Sequence, residues 1–439
     1  MISVKMKRYI SLFVLFYLLF DTLAGQEVMT LEQALSIGLK NNYGINIARN
    51  RARIEKNNAS VGHAGFLPKV DASGQYQYAL TNAKVEVISG LQLEDPAANS
   101  NLVTAGVNLK WTLFDGLNMF VTYEKLKLLE EMGELSAKIA IENAVAEIII
   151  SFHNIICKSS EVKIIREQVG ISEFRLDLAK TRFETGSGSE LELLKARVEL
   201  NSDLANLADK QTEFLNSRTY LNELLARDIN TLFEVPDTIL LADTLRYDTL
   251  IVLLKSGNRE LQRSAFSMSV HQQEIKSSRA RQMPSLDLLA GYNYYRNETE
   301  AAFIKYNRLY GPSVGVVAGI RIFDGFNLHR EYQNAKISFL NSELQYDRLE
   351  LTLEAFLKRI FNDYQNQFQL IGFELENVAL AQRNMDVALE SFSLGAISSL
   401  QLREIQKNLL EARLRWVTAK FKTKVKETEL LLLCGQFVK

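Results

Sequence analysis

The residues able to do chemistry are few and scattered. His63, His153, His271 and His329 could ligate a metal or carry protons, but none has a second ligand three or four residues away and none lies in an HExxH pattern. Two cysteines, Cys157 and Cys434, are too few for a disulfide framework or a zinc cluster. Gly186-Ser187-Gly188-Ser189 has the glycines of a phosphate loop, yet no Gly-Lys-Ser/Thr follows and a helical pattern precedes it where such a loop needs a strand. There is no Gly-x-Ser-x-Gly elbow. Asp115 and Asp324 resemble a carboxylate pair, but they occupy matching turns in two copies of one pattern and read as helix caps. The 51 Lys+Arg against 52 Asp+Glu leave a formal net charge of −1, which argues against a nucleic-acid partner held by phosphate neutralisation. The chain is therefore expected to be no enzyme, and to need neither cofactor nor metal.

What remains is architecture. Residues 1–25 read as a secretory signal peptide: Lys5, Lys7 and Arg8, an apolar run over 10–20, then the small residues Ala24 and Gly25. Gln26 follows where a lipoprotein would carry cysteine, so no lipid is expected there. No later stretch is expected to be apolar enough for a transmembrane helix, so a membrane could be crossed only by strands. The five prolines leave residues 97–235 and 313–439 free of the main breaker of helix interiors.

The mature chain is one pattern written twice. Leu113-Phe114-Asp115-Gly116-Leu117-Asn118 matches Ile322-Phe323-Asp324-Gly325-Phe326-Asn327 at an offset of 209, which also pairs Phe183 with Phe392 and Gly186 with Gly395. An offset of 216 pairs Asn42 with Asn258, Pro68 with Pro284 and Tyr76 with Tyr292. The expected division is a first repeat over 26–228, a linker over 229–248 and a second repeat over 249–435. Each repeat opens with an amphipathic segment, 31–64 or 250–281. Two strands with period-two alternation follow, about 70–81 and 102–114, then about 285–296 and 312–323. Each is about ten residues long, the length a tilted transmembrane strand requires. The period then changes to heptads (Ile141, Val145, Ile148, Phe152, Ile155), predicting helical hairpins over about 117–228 and 326–433 that turn at Gly186 and Gly395. Ser189 and Ser398 are placed to cap the returning helices.

Four strands cannot close a barrel, since the smallest have about eight. Lipid tolerates no open sheet edge, so several chains must share one barrel. The run from Arg182 and Phe183 through Gly186-Ser187-Gly188-Ser189 to Leu191, Leu193, Leu194 and Ala196 resembles the helix-corner signature of the TolC-like outer-membrane efflux proteins. The Pro68 and Pro284 strand entries and the two Phe-Asp-Gly exits share that resemblance, which covers the whole mature chain. It implies a mixed α+β membrane fold: four transmembrane strands per chain in a trimeric 12-stranded β-barrel, with coiled-coil-like helices forming a periplasmic α-barrel. The implied function is an outer-membrane exit duct for efflux or type I secretion. The implied partners are outer-membrane lipid, a periplasmic adaptor and an inner-membrane transporter. The corners, Gly186, Ser187, Gly188 and Ser189 with Gly395, Ala396, Ile397 and Ser398, become the expected adaptor-docking surface. Glu192, Gln401 and Glu404 become the expected lining of the tunnel constriction, although Glu192 could instead pair with Lys195. The second corner departs from the signature, with Gln401 where an acid is usual and Arg403 where leucine is usual. A structural or adhesive coiled-coil protein of the cell surface is the other reading; it has no need of amphipathic strands. A periplasmic adaptor would carry a single helical hairpin rather than two. The two cysteines, at depths of ~44 and ~54 Å from their corners on helices rising 1.5 Å per residue, are expected to stay free thiols.

Overall fold

The computed structural model describes residues 28–86, 88–90, 92–242, 245–300 and 304–437; the expected signal segment lies outside them. The element order repeats as the sequence does: α1 (Leu31–Asn41), α2 (Tyr43–Asn58), β1 (Lys69–Glu86), β2 (Gln92–Phe114), α3 (Asn118–Glu184) and α4 (Glu190–Leu224), then α5 (Tyr247–Gly257), α6 (Arg259–Ala280), β3 (Ser285–Thr299), β4 (Tyr306–Gly319), α7 (Asn327–Ser393) and α8 (Ser399–Leu433). The long helices α3 and α7 each have 67 residues, and α4 and α8 each have 35. Two compact units form, one from residues up to Arg49 with Ala137–Arg259 and Glu350 onward, the other from Asn50–Ser136 and Glu260–Leu349.

The opening amphipathic segments each form two helices, parted at Asn42 and Asn258. The reason is a matched pair of side-chain bonds. The Asn42 amide donates to the Leu224 carbonyl at 2.8 Å, and Asn258 donates to the Leu433 carbonyl at 2.9 Å. Each asparagine therefore closes an orphan carbonyl at the end of a long hairpin. Asn42 also accepts the Ile45 N–H at 3.1 Å, which starts α2. Gly38 in α1 packs closely on α3: a β-carbon there would meet the Ile148 Cδ1 and push that side-chain tip aside.

The first unit holds an apolar core of Met29, Ala34, Ile148, Phe152, Ile155, Ile156, Cys157, Leu221, Leu225, Phe233, Ile239 and Val417. Of the α3 heptad seats read from the sequence, Ile148, Phe152 and Ile155 belong to this core, joined by Ile156 and Cys157, while Ile141 and Val145 lie outside the cluster. Phe233 and Ile239 come from the expected linker, and Met29 N–H donates to the Glu234 carbonyl at 2.9 Å, so that segment is packed rather than free. Burying each large apolar side chain contributes about 1.5–3 kcal/mol. One expectation is corrected here: a stretch of α3 is long and apolar enough, by length and composition, to cross a membrane. Half of it is buried inside the protein, so its apolar character belongs to this core.

The second unit holds a four-stranded antiparallel sheet in the order β1-β2-β3-β4. The ladder runs further than the alternation suggested. β1 and β2 continue past Thr81 and Asn99 to Glu86 and Gln92, around a register shift between Thr81 and Ala83. Pro96 lies at that irregularity, where a residue without an N–H costs no ladder bond, and Ala97 takes a φ of 65°. β4 is displaced from its expected 312–323 to Tyr306–Gly319. Its partner β3 begins only after Pro284, so Gly319 is the last residue with a cross-strand neighbour, Ser285. One face carries Val70, Val107, Leu109, Trp111, Leu288, Val314 and Val316, and the other carries Asp71, Ser73, Gln75, Asn108, Lys110 and Asp287. On the polar face Lys110 pairs with Asp287 at 3.1 Å, and Thr112 donates to Asp287 at 2.7 Å.

The two Phe-Asp-Gly turns lead into the long helices with residues at positive φ, Gly116 and Leu117, then Gly325 and Phe326. Gly116 also packs where a β-carbon would strike the Ala280 carbonyl. Asp115 accepts the Met119 N–H at 3.1 Å and Asp324 accepts the Leu328 N–H at 2.9 Å, so both aspartates cap helices.

Both cysteines are buried and unpaired. Cys157 sits in the apolar core, and the Cys434 thiol donates to the Leu250 carbonyl at 3.4 Å. Burial pushes both thiols up to about 12. A thiol reagent at pH 8 should label neither in the folded protein and two per chain after unreduced denaturation; a count of zero in the denatured protein would show a disulfide and reject this packing.

Candidate functional site

The sites expected from the sequence lie at the corner ends of the helical hairpins. Both corners close in the same way. At the first, Ser187 N–H bonds the Arg182 carbonyl at 2.8 Å and Gly186 N–H the Phe183 carbonyl at 3.0 Å. At the second, Ala396 N–H bonds the Ser391 carbonyl at 2.8 Å and Gly395 N–H the Phe392 carbonyl at 3.1 Å. This helix stop needs a left-handed residue, and Gly186 and Gly395 supply it at φ 75° each. Ser189 accepts the Glu192 N–H at 3.2 Å and starts α4. Ser398 caps α8 and exchanges a second bond with Gln401, whose side chain accepts the Ser398 N–H at 2.8 Å.

The corners are joined to each other. The Arg182 guanidinium lies 4.9 Å from the centre of the Phe392 ring and donates to the Phe392 carbonyl at 3.1 Å. Beneath them Met385, Ala388, Phe392, Leu402 and Leu409 form a small buried cluster, with Leu178, Ile397 and Ile405 packed on it.

Further along the helices is a group the sequence reading missed. Asp203 on α4, buried, takes two bonds from Arg403 on α8, at 2.8 and 2.9 Å. It also accepts from Ser172 at 2.6 Å and Gln168 at 3.3 Å, both on α3. Arg175 on α3, only 3% exposed, pairs with Glu199 at 2.7 Å and donates to Gln406 at 3.2 Å and to the Ser399 hydroxyl at 2.9 Å. Three helices from both repeats meet through these charges. Burial alone would raise the Asp203 pKa, but Arg403, Ser172 and Gln168 outweigh it and hold the carboxyl below its ordinary value. The signal was present: Gln168, Ser172 and Arg175, like Ser399, Arg403 and Gln406, are polar residues at heptad spacing, and Arg403 is the residue noted as a departure at the second corner.

Of the three expected constriction residues, Gln401 is engaged in the cap of α8. Glu192 is exposed, and the alternative pairing with Lys195 does not form among the described residues. Glu404 is exposed and makes no ion pair among the described residues. The two corners differ in chemistry. The first exposes Glu184, Glu190 and Glu192 beside Leu191, whereas the second exposes Leu394 and Leu400 with no charged residue between Ser391 and Leu402. Among the described residues no group of three or more His, Cys, Asp and Glu could hold a metal.

A duplicated strand-pair and hairpin pattern, a four-stranded sheet whose outer edges are unpaired among the described residues, and paired helix corners define an outer-membrane channel protomer. Residues 35–227 and 250–436 match the outer membrane efflux protein family, and the chain belongs to it. It is 18% identical over 326 residues to the outer membrane protein TolC of Vibrio cholerae serotype O1, covering 73% of this chain and 74% of that one. It is 20% identical over 386 residues to nodulation protein T of Rhizobium leguminosarum bv. trifolii, covering 85% and 78%. Its fold is shared with the Campylobacter jejuni CmeC outer membrane channel, at a TM-score of 0.75 and 16% identity over 93% and 87% of the two chains. The chain is an outer-membrane exit duct of efflux, with its helices in the periplasm.

The buried pair sets a test. Removing one partner strands the other, a loss of about 3–5 kcal/mol, whereas replacing both with apolar residues is often neutral. Arg403→Leu should lower the melting temperature in detergent, and Arg403→Leu with Asp203→Leu should recover most of the loss. Because the folded Asp203 pKa lies below the ordinary ~3.9, its contribution is complete above that value and is lost as pH falls through the folded pKa. Without Arg403 the buried carboxyl loses the main interaction that holds its pKa down, so the gap between wild type and Arg403→Leu should be full at neutral pH and shrink as pH falls toward the depressed wild-type pKa. Equal melting of both single and double variants would reject the brace.

Proposed function

We propose that three copies of this chain close one barrel and one tunnel, and that the corners dock the tunnel on a periplasmic adaptor that links it to an inner-membrane pump. The observation that carries this is the sheet: four strands, with the outer edges of β1 and β4 unpaired among the described residues. In lipid each unpaired backbone group costs several kcal/mol, so other copies must supply the missing ladders. The helices agree. On α7 Ile337, Leu340, Leu344 and Leu351 stand exposed at heptad spacing, a stripe that needs a neighbouring helix. Homologues in the family are channels. The same duct would serve efflux or type I secretion, since its specificity lies in the pump.

Corner docking rests on position and chemistry. The corners present exposed helix ends, and Gly186 and Gly395 meet no atom within 4 Å of an added β-carbon. A bulky residue at Gly395 therefore has room but strained backbone, a modest cost of about 1 kcal/mol. The constriction reading rests on Glu404 and Glu192. Repeated three times around an axis, an unpaired carboxylate makes a ring of like charge that favours cations.

Purified trimers in planar bilayers should give discrete channels, and their absence from well-folded trimers would reject the duct reading. The channels should prefer cations, and Glu404→Lys should reduce or invert the reversal potential across a salt gradient; an unchanged potential removes Glu404 from the constriction. Gly186→Tyr and Gly395→Tyr should retain trimer yield and membrane insertion but lose export, and normal export would show that the corners are only turns.

A further inference from the structure

The apolar face of the sheet can be followed row by row across the four strands. Trp111, Leu288 and Val316 lie near the end joined to the helices, and Val70, Leu109, Ala290 and Val314 form a row beyond them. Further from the helices come the rows Gly74-Ala105-Tyr294-Tyr310, Tyr76-Val103-Arg296-Arg308 and Tyr78-Asn101-Glu298-Tyr306. Two arginines thus stand directly opposite each other on the face that meets lipid, between tyrosines.

Like charges in direct cross-strand opposition are destabilising. Arg296 is relieved by Glu298 at 2.5 Å and lies 5.6 Å from the centre of the Tyr306 ring. Arg308 lies 5.6 Å from the centre of the Tyr310 ring, is exposed, and has no carboxylate within ion-pair distance among the described residues. Stacking holds the guanidinium plane but leaves its five donors unsatisfied. The depth of the row can be estimated. From Leu286 to Arg296 is about 33 Å of strand at ~3.3 Å per residue, or ~25 Å of height at a tilt near 40°, the thickness of the apolar band of an outer-membrane barrel. The arginines therefore fall at the headgroup level of the leaflet away from the helices, the outer one.

We infer that Arg308, with Arg296 and the flanking tyrosines, binds a phosphate on the headgroup of an outer-leaflet lipid. The inference rests on the outer-membrane reading of the strands. A guanidinium fork matches phosphate oxygens in a bidentate way, and a phosphate between the two arginines converts their repulsion into a shared bond. The tyrosines hold the boundary between headgroup and chains, as interfacial aromatics do. Bound lipid then seals the β3-β4 ribbon at the rim of the barrel.

The test is native mass spectrometry of the detergent-purified trimer with diphosphorylated lipid A, its dephosphorylated form, or inorganic phosphate. Wild type should retain the diphosphorylated lipid about tenfold better than the dephosphorylated one, and Arg308→Gln should lose most of that preference. Arg308→Lys keeps the charge without the fork and should fall between them. Lys305→Gln, in the adjacent loop, should behave as wild type. Equal retention of both lipids by wild type, an unchanged preference in Arg308→Gln, or displacement of the lipid by millimolar inorganic phosphate would overturn the site. Channel conductance of each variant is recorded in parallel: channels without lipid preference reject only the lipid site, whereas loss of channels in the wild type rejects the barrel itself.

Discussion

Backbone hydrogen bonding in a medium without water governs this structure. Every N–H and C=O of β1 to β4 that faces hydrocarbon needs a partner, and one chain supplies them only between its own strands. The outer edges of β1 and β4 make the protomer incomplete in a membrane. Much of the rest follows from that incompleteness. The side chains alternate because one face meets lipid and the other a lumen. The helix surfaces keep apolar stripes such as Ile337, Leu340 and Leu344 exposed, although in a solitary soluble protein they would invite aggregation. A chain built this way has its stability tied to assembly, and its fold is only half described by its own contacts.

Within the chain, polar residues do the joining where apolar packing alone would be ambiguous. Heptad helices can slide past one another by a turn with little change in apolar contact. A buried pair such as Asp203 with Arg403 allows no such slip, because one turn of displacement leaves two charges unpaired. Asn42 and Asn258 act similarly at the other end of the hairpins, each tying a short helix to the last carbonyls of a long one. The hairpins are thus registered at both ends by side-chain hydrogen bonds and filled between them by Ile148, Phe152 and their neighbours.

The large features were legible in the sequence because they have periods. Alternation over 70–80 and 103–113 marked strands, heptads marked α3 and α4, and the Gly186 and Gly395 corners were visible as breaks in proline-free helical runs. What was not legible was contact between distant segments. Nothing local in Asp203 announces Arg403, 200 residues away, so the brace could be read only from polar residues occupying seats of a heptad. Strand ends failed for a related reason. β2 extends to Gln92 because β1 lies beside it, and β4 stops at Gly319 because Pro284 ends its neighbour. Each limit belongs to a pair of strands, and a single strand does not record it. The stretch of α3 that could pass for a membrane span is the same lesson in composition: apolar content says that a segment is buried, and only its neighbours say in what.

The two repeats have diverged in composition while keeping the lengths of their long hairpin helices, and the corners explain why. Arg182 beside the first corner stacks on Phe392 beside the second, so the two hairpin ends must arrive together. With α3 and α7 at 67 residues each, they do. Loss of one heptad from α7 alone would withdraw Gly395 by about 10 Å at 1.5 Å per residue and carry Phe392 out of reach of Arg182. The buried cluster of Met385, Phe392, Leu402 and Leu409 would open at the same step. Sequence can therefore drift along the exposed faces, and the corners can become acidic in one copy and apolar in the other, but helix length cannot drift independently in either copy. A compensated change, one heptad removed from both hairpins, keeps the corners level, so length is constrained between the repeats more tightly than within them.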